Sequence, residues 1–208
     1  MRAIVTKVYL LFLKLFFRSS FETYGTSAPI SPFKRISQFL TFKGNALAYW
    51  PVSNLSTVAG ARYIKIGVGT APGLSFGCYI FANEQNPIFI GDYTIIAPNV
   101  TIAGFSHDLY DYREFDNKGG IKVGNYCWLA ASVTVLPGVT LGDHTIVAAN
   151  SVVTKSFPEG NCVLAGNPAK VVKRLDPDKL IKYENEHKYV GFVKAAKFEE
   201  FRKKKLRV

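Results

Sequence analysis

Between Ile90 and Val153 an aliphatic side chain returns at every sixth residue. The series runs Ile90, Ile96, Ile102 and then, after an interruption, Val123, Leu129, Val135, Leu141, Val147 and Val153. A helix repeats near 3.6 residues and a strand near 2, so neither accounts for this spacing. A small residue follows the aliphatic at Gly91, Ala97, Ala103, Gly124, Ala130, Gly142 and Ala148. The pattern predicts a solenoid of short strands, in which each six supplies one flat face and its corner and three sixes close a triangular coil. The aliphatic points inward and stacks on its counterparts above and below. A second inward and mostly small position follows four residues later: Thr94, Val100, Ser106, Cys127, Val133, Val139, Thr145 and Ser151.

The same spacing extends upstream to Val68, Leu74 and Ile80, which predicts a first coil there. Ile80 and Ile90 are ten apart, which places a bulge near residues 85–88. Ile102 and Val123 are twenty-one apart, so residues 104–120 are expected to leave a corner as a loop. A long loop in a terse solenoid is usually functional. After Pro158 the repeat fades. Residues 162–166 can add a last strand, Asn167-Pro168 turns the chain, and Asp176 can cap a helix with Pro177 early in it. The apolar residues from Leu180 to Phe201 predict helix from Asp178 onward, broken near Gly191, with His187 on it. Residues 19–63, with Pro29, Pro32 and Pro51, predict turns and short strands that cap the first coil, and Phe39, Leu40 and Phe42 are candidates for its start.

The net charge of +11 sits at the two ends. Residues 1–18 carry four Lys/Arg and no acid, residues 170–208 carry thirteen against six, and the body between carries nine of each. A neutral body argues against nucleic-acid binding, which needs a basic stripe on the folded core. It leaves phosphate-bearing ligands and anionic membrane surfaces. Residues 3–17 predict a helix with Lys7, Lys14 and Arg18 on one stripe. It is too short to span a bilayer and lysines interrupt it, unlike a signal peptide. It can lie in a membrane interface, or it can pack on the protein or a neighbouring subunit. Cys78, Cys127 and Cys162 lack metal-ligand spacing and are expected to be buried, reduced thiols, which implies a reducing compartment.

A neutral imidazole is the usual general base for a hydroxyl. His187 is expected to be structural or exposed. His144, fourth in Leu141-Gly-Asp-His, should occupy an exposed corner. His107 sits where the repeat breaks and the loop begins, which makes it the functional candidate.

The stretch from Ile88 to Val100 followed by Ser106-His107-Asp108, together with Val123–Ala131, Leu136–Asp143, Val147–Lys155 and Ala165–Lys170, resembles the hexapeptide-repeat acyltransferases, in the branch of maltose, galactoside and surface-polysaccharide O-acetyltransferases. The resemblance implies an all-β solenoid, a left-handed parallel β-helix with an N-terminal helical or irregular cap and a C-terminal α-helix. On that reading residues 1–63 are helix and cap, 64–175 the repeat domain with loop 104–120, and 176–208 the C-terminal helix and basic tail. It implies a homotrimer with acetyl-CoA in grooves between subunits, no metal, a carbohydrate acceptor and a cytoplasmic site, at most peripheral on the membrane through residues 1–18. His107 falls on the family's catalytic histidine. Ala131, Ala149, Thr154, Lys155, Lys170 and Lys173 fall on its cofactor contacts. Lysines there suit phosphates as point charges. The family's acceptor-side Asn falls on Gly77, so no acceptor residue carries over, although Asn83 is near. Trp128 either lines the acceptor site or covers a coil edge.

Three other readings compete. One is acetylation of a non-sugar hydroxyl, such as that of an antibiotic. A structural solenoid would need neither the histidine loop nor the lysine set. A zinc site of three histidines would need two of them close together in the solenoid, whereas His107, His144 and His187 are widely spaced.

Overall fold

The computed structural model describes residues 2–40 and 44–208. Its short parallel strands form three sheets, which the chain visits in rotation. The first holds Thr57–Ala59, Tyr79–Phe81, Thr101–Ala103, Thr134–Val135 and Val152–Val153. The second holds Ile64–Ile66, Ile88–Ile90, Ile121–Val123 and Thr140–Leu141, and Phe157 adds a bridge to Leu141. The third holds Ile95–Ile96, Trp128–Leu129, Thr145–Val147 and Cys162–Gly166, closed by an antiparallel strand, Ala169–Arg174.

Register puts residues of equal phase opposite one another. Ile80, Ile102, Val135 and Val153 align in the first sheet, Ile90, Val123 and Leu141 in the second, and Ile96, Leu129 and Val147 in the third. All nine aliphatics of the six-residue series are buried. Each contributes on the order of 1.5–3 kcal/mol relative to exposure. The small inward position forms a ladder between coils. Thr70 Oγ1 donates to the Gly91 carbonyl, Thr94 Oγ1 to that of Gly124 and Cys127 Sγ to that of Gly142, at 2.8, 2.8 and 3.3 Å. All three cysteines are buried and free.

Four details differ from the sequence reading. The first coil is led by Ile66, which pairs with Ile90, and Val68 and Leu74 are only half-buried. The turn at Pro72-Gly73 is held instead by Trp50, whose indole donates to the Pro72 carbonyl at 2.7 Å. Ser106 is exposed, because the chain has already left the coil. Among the described residues of 19–63 the structure has the α-helices α2 (Arg18–Glu22) and α3 (Pro32–Leu40), beside the expected helix α1 (Arg2–Phe16). Pro32 opens α3, where its missing N–H costs nothing. Phe39 and Leu40 belong to α3, and Phe42 lies outside the described residues.

The fourth difference is at the C-terminal end. Asp176 caps a single turn, Pro177–Lys179, by accepting from Asp178 N. The helix predicted from there is absent. Residues 180–188 run irregularly, a hairpin follows at Tyr189–Val190 and Val193–Lys194, and only Ala195–Lys205 is helical, α4. The tyrosines read as a helix face are instead anchors. Tyr126 Oη donates to the Tyr183 carbonyl, and Tyr189 Oη to Glu22. His187 therefore lies in the irregular segment, exposed beside Glu186.

Candidate active site

His107 stands on a hairpin that leaves the corner between the first and second sheets. Ser106-His107 pair antiparallel with Phe115-Asp116, and the imidazole lies over the Phe115 ring at 4.9 Å between centroids. The root is fixed on both sides. Gly104 N donates to Phe81 O, Ile121 N to Pro87 O, and Gly119 N to the side chain of buried Asn86, at 2.9, 2.9 and 3.2 Å. Gly120 has φ +77°, and a Cβ there would strike the Pro87 backbone. The ring is thus held by a short rigid stem with its other face open to water.

Asp108 and Asp111 are spent on the loop itself. Asp108 accepts from the N–H groups of Tyr110 and Asp111, which holds its carboxyl below the usual range. Asp111 accepts from Nε and Nη2 of Arg113, with the same effect. The sequence offered no sign of Phe115, Phe105 or Asn86 as parts of this site, because none falls in the repeat. Through contacts near 5 Å, an aromatic row of Tyr79, Phe81, Phe105 and Phe115 leads from the first sheet to His107.

The other candidates fall on two corners. Thr154 and Lys155 share the hairpin's corner, exposed, with the Lys155 ammonium 5.7 Å from the Phe157 ring. Ala131 and Ala149 are exposed at the corner between the third and first sheets, where Asn150 N donates to Ala131 O. Lys170 follows the turn at that same corner, and Lys173 lies further along the closing strand, opposite Val163. The first sheet separates the two corners, so one chain does not gather all six residues around His107. Trp128 is half-exposed on the outer face of the third sheet, between Ile95 and Ile146. Gly77 is at the third-to-first corner, whereas Asn83 is at the hairpin's own corner, where its side chain accepts from Asn86. A cleft of about 610 Å³ lies elsewhere, between α3 and the Phe192, Val193 and Phe201 side chains.

His144 is not the exposed corner residue expected. It is buried at the corner between the second and third sheets, stacked on Tyr126, which stacks in turn on Tyr93. Its Nε2 is buried without a hydrogen bond. All three rings extend from residues with φ near +53° (52°, 53° and 53°), the same corner conformation repeated in successive coils. Among the described residues no group of three His, Cys, Asp or Glu side chains could hold a metal.

Residues 120–155 match the family model for the bacterial transferase hexapeptide of six repeats. The chain is 39% identical over 102 residues to a galactoside O-acetyltransferase of Escherichia coli K12, covering 46% of this chain and 49% of the relative. It is 31% identical over 139 residues to WbbJ of the same organism, a proposed lipopolysaccharide biosynthesis O-acetyl transferase, covering 59% of this chain and 70% of the relative. The chain belongs to the hexapeptide-repeat transferases. Among solved structures of such transferases, a galactoside acetyltransferase in complex with coenzyme A aligns at a TM-score of 0.53 and 28% identity, over 66% of this chain and 69% of that one. The chain spans about half the length of the galactoside O-acetyltransferase that it matches.

Proposed function

We propose that this hexapeptide-repeat transferase is an acetyl-CoA-dependent O-acetyltransferase, acting on a sugar hydroxyl in cell-surface polysaccharide synthesis. The observation that carries the reading is His107, an imidazole fixed over Phe115 at a coil corner with its free face toward solvent. Relatives named for galactoside and lipopolysaccharide acetylation support the acceptor class, and a coenzyme A complex of a structural relative supports the donor. In the reaction the acceptor oxygen attacks the thioester carbonyl carbon as its proton passes to His107. The tetrahedral intermediate then expels the thiolate, which takes that proton back, leaving acetyl ester and free thiol. A base so placed supplies about 10²–10⁴-fold, and holding both substrates together supplies much of the rest.

The sheet rotation is read as left-handed, the exception to the usual crossover rule, on the strength of the family. Three copies around an axis would bring the hairpin corner of one chain against the Ala131, Ala149 and Lys170 corner of the next, which would make one groove of the two half-sites. Lys155, Lys170 and Lys173 would then meet the phosphates of the donor, with Thr154 beside them. Reduced, buried cysteines and the use of acetyl-CoA suit a cytoplasmic setting. Incubating the purified protein with acetyl-CoA and a panel of sugars, and measuring thiol release, tests the reading. Acceptor-dependent release that disappears in His107→Ala is expected. Release unaffected by any sugar, or undiminished in the variant, would refute it.

A further inference from the structure

A helix on a protein surface normally turns its apolar stripe inward. The first and third helices of this chain both leave large apolar side chains on the outside. On α1 the side turned to the body carries Leu13, which is buried, while Val8, Leu11, Leu15 and Phe16 stand exposed, the last two at 68%. At 100° per residue, Lys7, Lys14 and Arg18 run along one edge of that exposed face. On α3 the usual arrangement is inverted. The buried residue is Gln38, whose amide donates to the carbonyls of Asn45, Ala48 and Trp50 and accepts from Val52 N. The outward residues are Phe33, Ile36, Phe39 and Leu40, each at least 59% exposed. Among the described residues core packing explains neither face.

Charge narrows what can cover them. Residues 1–40 contain six Lys/Arg and a single acid, Glu22. That carboxylate is turned inward and engaged by Arg18 and Tyr189. A second copy meeting these helices with the same face would set cations against cations with no acid to meet them. A bilayer with acidic headgroups offers hydrocarbon and negative charge together. At 15 residues α1 falls short of the roughly 20 needed to cross the hydrocarbon core, and among the described residues no helix is long and apolar enough to do so.

We propose that α1 and α3 seat this chain on an anionic lipid bilayer, lying in its plane with Leu11, Leu15, Phe16, Ile36 and Phe39 in the acyl boundary and Lys7, Lys14 and Lys34 among the headgroups. The proposal stands on the exposed apolar faces of the two helices and does not depend on the acetyl-transfer reading. Full-length protein is sedimented with vesicles of phosphatidylcholine alone, or mixed with phosphatidylglycerol. It is expected to pellet with the mixed vesicles at low salt and to be released at high salt. Leu15→Ser with Phe16→Ser, and separately Ile36→Ser with Phe39→Ser, should weaken pelleting about tenfold or more. Lys7→Gln and Lys14→Gln should each weaken it roughly fivefold. Because these side chains are exposed, thermal midpoint and particle mass should stay unchanged. Full-length protein that remains in the supernatant with mixed vesicles at low salt would overturn the proposal. So would equal pelleting on neutral vesicles, or a change of particle mass in the Leu15/Phe16 variant, which would assign that face to another copy.

Discussion

Two histidines of this chain have opposite environments, and each makes its own prediction. His107→Ala should lower turnover by about 10²–10⁴-fold, while affinity for acetyl-CoA, measured by calorimetry, stays close to that of the parent. Weakened donor binding in that variant would assign the ring to the cofactor groove. His144 predicts a pH effect on stability. Burial lowers its pKa, Asp143 opposes that shift, and Lys182 adds to it. An imidazole in the unfolded chain takes a proton near pH 6.5, and the buried one takes it only at lower pH. The unfolded state therefore binds more protons between those two values, so stability is complete above the unfolded value and declines as pH falls through the folded one. Urea unfolding at about pH 7.5 and about pH 5.5 should show this loss. His144→Phe keeps a ring on Tyr126 and removes the orphaned Nε2, so its loss over the same interval should be smaller.

At the scale of the coil, close approach decides which small residue follows the aliphatic. Gly91 and Gly124 lie at the second-to-third corner, where an added Cβ would come within 2.5 Å of the side chains of Asn125 and Asp143 and almost as near the backbone. The third-to-first corner accepts Ala97, Ala130 and Ala148. Gly124→Ala should therefore destabilise by roughly 1–3 kcal/mol, and Leu129→Ala, deep in the third sheet, by about 2–5 kcal/mol. Chemical denaturation would measure both. The solenoid was legible because inward stacking forces the period of six onto the chain. The first coil departs from its expected register because Val68, Leu74 and Ile80 share a spacing of six without sharing a phase with Ile90. Only Ile80 belongs to the true register, and Ile66 leads it. His107 was legible as the residue at the break. Its stem was not, because Phe115 and Asn86 answer to a hairpin with no repeat. His144 was read correctly as a corner residue but wrongly as exposed, since its cover, Tyr126, is eighteen residues away in sequence and adjacent only once the coils stack.

For the whole molecule, the proposed groove between the His107 corner of one chain and the Ala131, Ala149 and Lys170 corner of the next predicts an assembly. Light scattering at micromolar concentration should give three times the 23.1 kDa chain mass. A stable monomer would remove the shared groove and leave Ala131, Ala149 and Lys170 without a role beside His107. The hairpin has a further consequence for how such a molecule can change over generations. Ile90 still pairs with Val123 and Ile102 with Val135, although the hairpin intervenes in sequence. The coils on either side are indifferent to how many residues pass through that corner. Selection can lengthen, shorten or rewrite the segment between Gly104 and Gly120 without renegotiating the core. The scaffold and the loop carrying the histidine can thus vary as separate units.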